Sequence, residues 1–351
     1  MMNKVFVDIH VIQSVPPSCL NRDDTGSPKT ALYGGVRRAR VSSQSWKRAM
    51  RKMFTEHFIA EELSFRTRSI FELVAGEVIK LDSSVDIDEA IQKAKDAMKI
   101  NVSKKDGKAG ALFFISNKQA KAVAEAIVNG GDVKGALKAN NGVEIALFGR
   151  MVADDSNLNC DACSQVAHAI STHRVDTEYD FFTAVDDLAA ETQEHAQAGG
   201  HLGTVEFNSS TLYRYGTVAA HNLFKELNCE AEALQKAITE FVRAFVNSMP
   251  TGKQNSFAAF TPPSAVLVSI RTDTPINLVG AFEKSVKSGE EGFVALSVHS
   301  LSEYANSIYN DFTEKPAKSF VVGTGLDELG EKVSFDSLLA QIGQEVVGRL
   351  E

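Results

Sequence analysis

Gly34-Gly35-Val36-Arg37-Arg38-Ala39-Arg40-Val41-Ser42-Ser43-Gln44-Ser45-Trp46-Lys47-Arg48-Ala49-Met50-Arg51-Lys52-Met53-Phe54 is the stretch on which the fold turns. Trp46, Ala49, Met50 and Met53 recur at i, i+3, i+4 and i+7, which makes one apolar stripe and predicts a helix over 43–54. Ser42 or Ser43 can cap its N-terminus by accepting a backbone N–H. Lys47, Arg48, Arg51 and Lys52 form two i,i+4 pairs on a separate face. The free N–H groups at a helix start also favour phosphate.

The charge of this stretch stands out against the rest of the chain. From Lys29 to Lys52 there is no Asp or Glu, although the 351-residue chain carries a net −8. Residues 1–52 hold ten Lys and Arg against Asp8, Asp23 and Asp24, a net +7, so residues 53–351 sum to −15. A single basic run on a helix is usually a solvated face. Here the missing acids and the glycine-rich approach favour a surface aimed at a polyanion, nucleic acid above all.

Outward from this stretch, Val5, Val7, Ile9 and Val11 alternate with other residues and predict a strand over 5–12. A loop rich in Pro, Ser, Asp and Gly follows over 14–28. Residues 60–140 have largely helical patterns, with candidates at 86–99 and 117–128, the latter preceded by the apolar run 111–115. Val143–Arg150 is a second strand candidate and Val205–Gly216 a third. A helix is predicted over 230–248, ended by Pro250, and a fourth strand over 265–271. Strand, helix, strand, strand, helix, strand is the βαββαβ order of a ferredoxin-like or RRM-like α+β fold. No RNP aromatic motif is present, so base stacking on an open sheet in the ordinary RRM manner is not expected.

The ordered motifs of the chain resemble one family. Ser18-Cys19-Leu20-Asn21-Arg22-Asp23-Asp24, Gly34-Gly35, Arg37-Arg38 and Val41-Ser42-Ser43-Gln44-Ser45 look like the N-terminal signature of CasC, the Cascade backbone subunit of type I-E CRISPR systems. Further matches come in the same order: Ile145 to Met151, Ala167-His168-Ala169-Ile170, Phe182 to Leu188, His201 to Thr204, Tyr213-Arg214-Tyr215, and Ala281 to Lys284 with Lys287. The resemblance implies a palm of modified RRM type from residues 1–58, 141–174 and 212–351. It implies an inserted helical "fingers" domain over 59–140 and a thumb hairpin over 175–211. The thumb would reach the neighbouring subunit, with Phe181, Phe182 and Thr183 against a splayed nucleotide. Met151 would wedge beside a kinked base.

Other motifs point elsewhere less well. Cys160-Asp161-Ala162-Cys163 has CxxC spacing, with His168 and His173 beyond it, but structural zinc usually needs a second spaced pair. His168 falls in a helix candidate over 164–171, where packing or capping is the ordinary reading. Gly323-Thr324-Gly325 reads as a turn. Asp23-Asp24 and Asp186-Asp187 could in principle hold magnesium for RNA cleavage, yet neighbouring strand residues point to opposite faces and no orienting His or Lys set accompanies them. The four cysteines do not suggest a disulfide framework in so long a chain. No apolar run approaches a membrane span, and the N-terminus does not read as a signal peptide, so the expectation is a cytoplasmic protein without membrane contact.

The function expected is non-catalytic and without a cofactor or metal: binding CRISPR guide RNA (crRNA) and polymerising along it. Arg22, Arg38, Ser42, Gln44, Lys47, Arg48 and Arg51 are the candidates for its phosphates, with Lys253 and Lys287 from the far side of the palm. Arg22 and Arg51 could each hold phosphate through two N–H bonds. Phosphate contacts carry no sequence information, which suits a protein that accepts any guide. The resemblance implies as partners further copies of the chain head to tail, the target DNA strand paired to the guide, other Cascade subunits at the guide's ends and belly, and a recruited helicase-nuclease. The alternatives are a divergent magnesium-dependent RNase and a general single-strand RNA-binding protein.

Overall fold

β1 (Phe6–Ser18) runs through the middle of a ten-stranded sheet in a computed structural model that describes residues 2–152, 155–183 and 202–350. β2 (Thr30–Tyr33) and β3 (Val36–Val41) form a hairpin, followed by α1 (Ser43–His57). The next block holds β4 (Ser64–Thr67), α2 (Ile70–Leu81), α3 (Ile87–Met98), β5 (Phe113–Ser116), α4 (Asn117–Asn129) and α5 (Val133–Lys138). Then come α6 (Val143–Phe148), β6 (Ser164–Val166), β7 (Ala169–Ser171), β8 (Glu178–Thr183) and β9 (Leu202–Ala219). The chain continues through α7 (Ala220–Glu226), α8 (Ala231–Asn247), α9 (Gln254–Phe257) and β10 (Ala265–Arg271). It ends with α10 (Val294–Asp311), β11 (Lys318–Gly323), β12 (Glu331–Lys332) and α11 (Phe335–Val347). Among the described residues no helix is long and apolar enough to cross a membrane.

The fold is mixed α/β around one large mixed sheet, ordered β12-β11-β10-β1-β9-β7-β3-β2, with β6 and β8 also pairing β9. β1 is antiparallel to β9 and β10, while β12 joins β11 in parallel. Strand alternation sorts β1 between two cores. Val7, Ile9 and Val11 join Trp46, Met50 and Phe54 of α1, Phe241 and Phe245 of α8 and Ile342 of α11. Ile12 joins Tyr213, Tyr215, Leu267, Phe282 and Leu301 of α10 on the other face. Both faces of β1 and its neighbours are therefore covered, and the exposed aromatic residues of the sheet lie out on β8, at Tyr179, Phe181 and Phe182. Asp8 and His10, on the α10 side, are consequently buried.

The helical block has a core of its own, from Phe71, Val74, Ala90, Ala94, Phe113, Ile115, Val123 and Leu137. Asp86 and Ser116 accept backbone N–H groups at the starts of α3 and α4, at 2.9 and 3.0 Å. Leu158 also packs into this core, so it draws on chain beyond residue 140. β4 and β5 pair there, a two-stranded element not expected from the helical patterns.

Two expectations are corrected. Val143–Arg150 is not a strand: α6 is a helix over 143–148 and every residue in it is buried. A run of six residues, apolar but for Glu144, is too short for a period to separate the two states. Residues 164–171 are not a helix: they form β6 and β7, which pair β9. Gly34 and Gly35, with φ +56° and +75°, make the two-residue turn between β2 and β3. A Cβ on Gly34 would overlap the Glu283 carbonyl, so the turn is fixed against the 278–283 segment.

Candidate nucleic-acid interface

α1 starts as its sequence demands. Ser42 is the N-cap, its hydroxyl accepting from Ser45 N at 3.4 Å, while Ser42 N donates to Asn21 Oδ1 at 2.9 Å. The buried stripe is Trp46, Met50 and Phe54. Ala49 and Met53, expected within it, are only half-buried. The basic side chains are divided between two flanks of the helix.

On one flank, Ser45, Arg48, Ala49, Lys52, Met53 and Glu56 form a wall of a cleft of about 840 Å³. The 20–26 loop supplies Arg22, and the 248–253 segment after α8 supplies Lys253. Three distant stretches of chain thus bring Arg22, Arg48, Lys52 and Lys253 to one concavity. Lys253 adopts φ +47°, and a Cβ on Gly252 would lie 2.3 Å from the Leu20 carbonyl oxygen, so the turn presenting Lys253 is packed hard on the Arg22 loop. Phe257 of α9 packs against Phe207 of β9, the rings tilted by 45° with centres 5.7 Å apart, tying this wall to the root of the β8–β9 hairpin.

On the other flank, Lys47 is half-buried beside Phe148, and burial followed by the charge of Arg66 lowers its pKa. Arg40 Nη1 and His168 Nδ1 are 3.0 Å apart. Burial lowers the His168 pKa first, then the positive charges of Arg40, Lys29 and Lys47. Lys29, Arg40, Lys47, Arg66 and His168 are thus a second basic band. Gln44 is exposed beside it on α1.

Three of the expected phosphate contacts serve the fold instead. Arg38 is fully buried and donates to the carbonyls of Tyr33, Ser171, Thr172, Phe282 and Glu283 at 2.7–3.3 Å. Arg51 pairs with buried Glu144 at 2.5 Å, donates to the Ser64 carbonyl at 2.9 Å and lies over the Phe114 ring. It fastens α1 to α6 and the helical block. Ser42 is buried and acts as the cap.

The remaining expected residues lie away from the cleft. Met151 is 83% exposed, just after the Arg150–Cys160 bridge. Phe181, Phe182 and Thr183 are exposed on β8, whose six residues all face solvent and pair with Leu202–Phe207 of β9. The tip of the expected thumb, including Asp186-Asp187, lies outside the described residues. Lys287 is exposed in a loop held by Val286 N on the Thr172 carbonyl, 3.0 Å.

Burial pushes the Cys160 thiol up to about 11 and the Cys163 thiol up to about 12, aided by the Glu226 charge, so neither is a ready thiolate. Asp23 accepts from Thr25 Oγ1 at 2.7 Å and from Thr25 N and Ser27 N at 3.0 Å, and the Thr25 hydroxyl leads in lowering its pKa. Its carboxylate therefore closes its own loop.

Residues 7–342 match the CT1975-like protein family. The chain belongs to that family. The CT1975-like chain is similar to one from a solved "CRISPR RNA-guided surveillance complex, pre-nicking", at 32% identity and TM-score 0.80, covering 95% of this chain and 99% of that one. It is also similar to a chain of a "CRISPR RNA-guided surveillance complex", at 30% identity and TM-score 0.63, covering 96% and 99%. Among curated proteins none matches.

Proposed function

We propose that this CT1975-like chain is a guide-RNA-binding backbone subunit of a type I-E CRISPR surveillance complex, of the CasC kind. It polymerises head to tail along the RNA and presents it for pairing with target DNA, without cutting either strand. A heterologous contact that does not close gives a helical filament, limited here by guide length and by subunits at the guide's ends. The observation that carries the reading is the cleft where Arg22, Arg48, Lys52 and Lys253 converge from three separate stretches. The central strands β10-β1-β9-β6/β7, with α1 and α8 on one face, are read as the RRM-like palm, and β8–β9 as the root of the thumb. The protein is read as cytoplasmic, with the other complex subunits and a recruited helicase-nuclease as partners.

Salt-dependent RNA binding tests this reading. For single strands the slope of log K against log salt is about −0.7 per neutralised phosphate. A steep slope that Arg48→Ala and Lys253→Ala each flatten supports the cleft as the phosphate site. With magnesium present the bound RNA should stay intact. Metal-dependent cleavage abolished by Asp23→Ala would replace the reading with an RNase.

A further inference from the structure

Phe260 lines the same cleft and is 59% exposed, although the backbone that carries it is fixed on both sides. Ala259 before it is fully buried. With its amide oriented so that both groups are satisfied, Gln254 accepts from Ala259 N at 3.2 Å and Phe260 N at 3.1 Å. The Thr261 carbonyl accepts from buried Gln13 Nε2 at 2.6 Å, and Thr261 Oγ1 donates to the Ser14 carbonyl at 2.7 Å. Pro262 and Pro263 then fix φ. The ring therefore stands in solvent on a well-tethered loop, next to an apolar core it does not enter.

We propose that Phe260 is a stacking platform for a nucleobase of the bound strand, the partner of the cations that hold its phosphates. This rests on the RNA-binding reading above. The surroundings choose the occupant. An apolar protein surface laid on Phe260 would have to strip water from Arg22, Arg48, Lys52 and Lys253, and from Asp23, Asp24 and Glu56 on the same lining, which is costly for every one of these charges. A nucleotide satisfies both halves of the cleft, because its phosphate meets the cations and its base meets the ring. Half-buried Met53 and buried Met249 add apolar lining to the same cleft. Every base has a π-face, so such a contact tolerates any guide sequence.

The test uses the full chain with a short oligouridine strand and a matching abasic strand. Phe260→Ala should weaken oligouridine binding roughly 5- to 100-fold, the range for one stacked base. Phe260→Tyr should restore it. The slope of log K against log salt should not change, whereas Lys52→Ala should flatten it. On the abasic strand Phe260→Ala should have no effect. If the parent binds RNA and Phe260→Ala binds oligouridine equally well, the stacking role is wrong and the cleft reading survives. If Phe260→Ala keeps single-copy RNA binding but abolishes multi-copy assembly on a long guide, the ring is a protein–protein contact and the proposal falls. If the parent binds no RNA at all, both readings fall together.

Discussion

The guanidinium of Arg214 lies 3.7 Å from the centre of the Trp46 ring and 5.0 Å from that of Phe245, so a fully buried cation is held between α1 and α8. Its Nη1 donates to Gln13 Oε1 at 2.7 Å, and Nη2 donates to the Phe245 carbonyl. Among the described residues no carboxylate pairs with it, and burial lowers its pKa to about 9. The residues it touches lead directly to the cleft. Trp46 precedes Arg48 on α1, Phe245 precedes the 248–253 segment, and Gln13 also holds the Phe260 loop through Thr261. Arg214 is thus the common support of the cleft's walls.

Arg214→Lys is expected to destabilise the protein by roughly 2–4 kcal/mol, because an ammonium cannot stack flat on Trp46 while donating to separated acceptors. Trp46 is the chain's only tryptophan, so urea unfolding followed by its fluorescence reads the site directly. An unchanged midpoint would refute the support role.

Arg51 and Lys52 are neighbours in sequence with opposite duties. Arg51→Ala leaves Glu144, 2% exposed, without its cation, and should cost about 2–3 kcal/mol because Arg51 itself is partly exposed. Burial already raises the Glu144 pKa, so Glu144→Gln in the same background should recover part of the loss. Lys52→Ala should stay within about 0.5 kcal/mol of the parent while reducing the salt slope of RNA binding by about 0.7. Denaturation midpoints and filter binding on the same preparations separate the two. Equal effects of both substitutions on stability would count against the division.

The sequence made some of this legible and some not. The alternation of Val5 to Val11 revealed β1 because one set of side chains meets the α1–α8 core. Asp8 and His10 masked the fact that the other face is covered too. α6 and β6–β7 each suggest the wrong element because they are too short for a hydrophobic period to separate helix from strand. The basic run could not distinguish Arg48, which faces the cleft, from Arg38 and Arg51, which face carbonyls and Glu144. That difference exists only once residues 144, 171–172 and 282–283 fold against them. Phe260 had no signal beyond an aromatic before two prolines. Lys253 is expected on the far side of the palm, and the fold instead brings it into the same cleft as Arg22 and Arg48, because the 248–253 segment folds back against the 20–26 loop.

Asp8 and His10 should give opposing pH slopes. Burial leads in raising Asp8 to about 6 against partners that include Ile276 N at 2.8 Å and Tyr215 OH at 3.0 Å, and in lowering His10 to about 3. Between about pH 4 and 6 the folded state holds a proton on Asp8 that the unfolded chain has released, so stability rises as pH falls. Over pH 6.5 to 3 the unfolded chain holds a proton on His10 that the folded state lacks, so stability falls as pH falls. The two nearly cancel in the parent. His10→Gln should make the protein gain stability from pH 6 to 4, on the order of 2 kcal/mol, and Asp8→Asn should make it lose a similar amount. Parallel pH profiles for both variants in urea melts would show that these groups do not titrate as their burial dictates.

The β8–β9 hairpin is the last and most demanding test of the assembly reading. All of β8 is exposed, and Tyr179, Phe181 and Phe182 show large apolar surface to solvent without contributing to either core of the sheet. Deleting residues 180–203 should therefore leave the thermal midpoint within a few degrees of the parent, since no core strand pairing with β1 is lost: those pairs begin at Asn208 of β9. Contact of one subunit with short RNA should persist, because Arg22, Arg48, Lys52 and Lys253 are untouched. Assembly on a full-length guide should fail, because each copy loses its reach to the next. Native mass spectrometry of both proteins on the same guide decides the matter. A deletion variant that still forms the parent's multi-copy particle would remove the hairpin from the inter-subunit contact, and the assigned roles of Phe181, Phe182 and Thr183 would go with it.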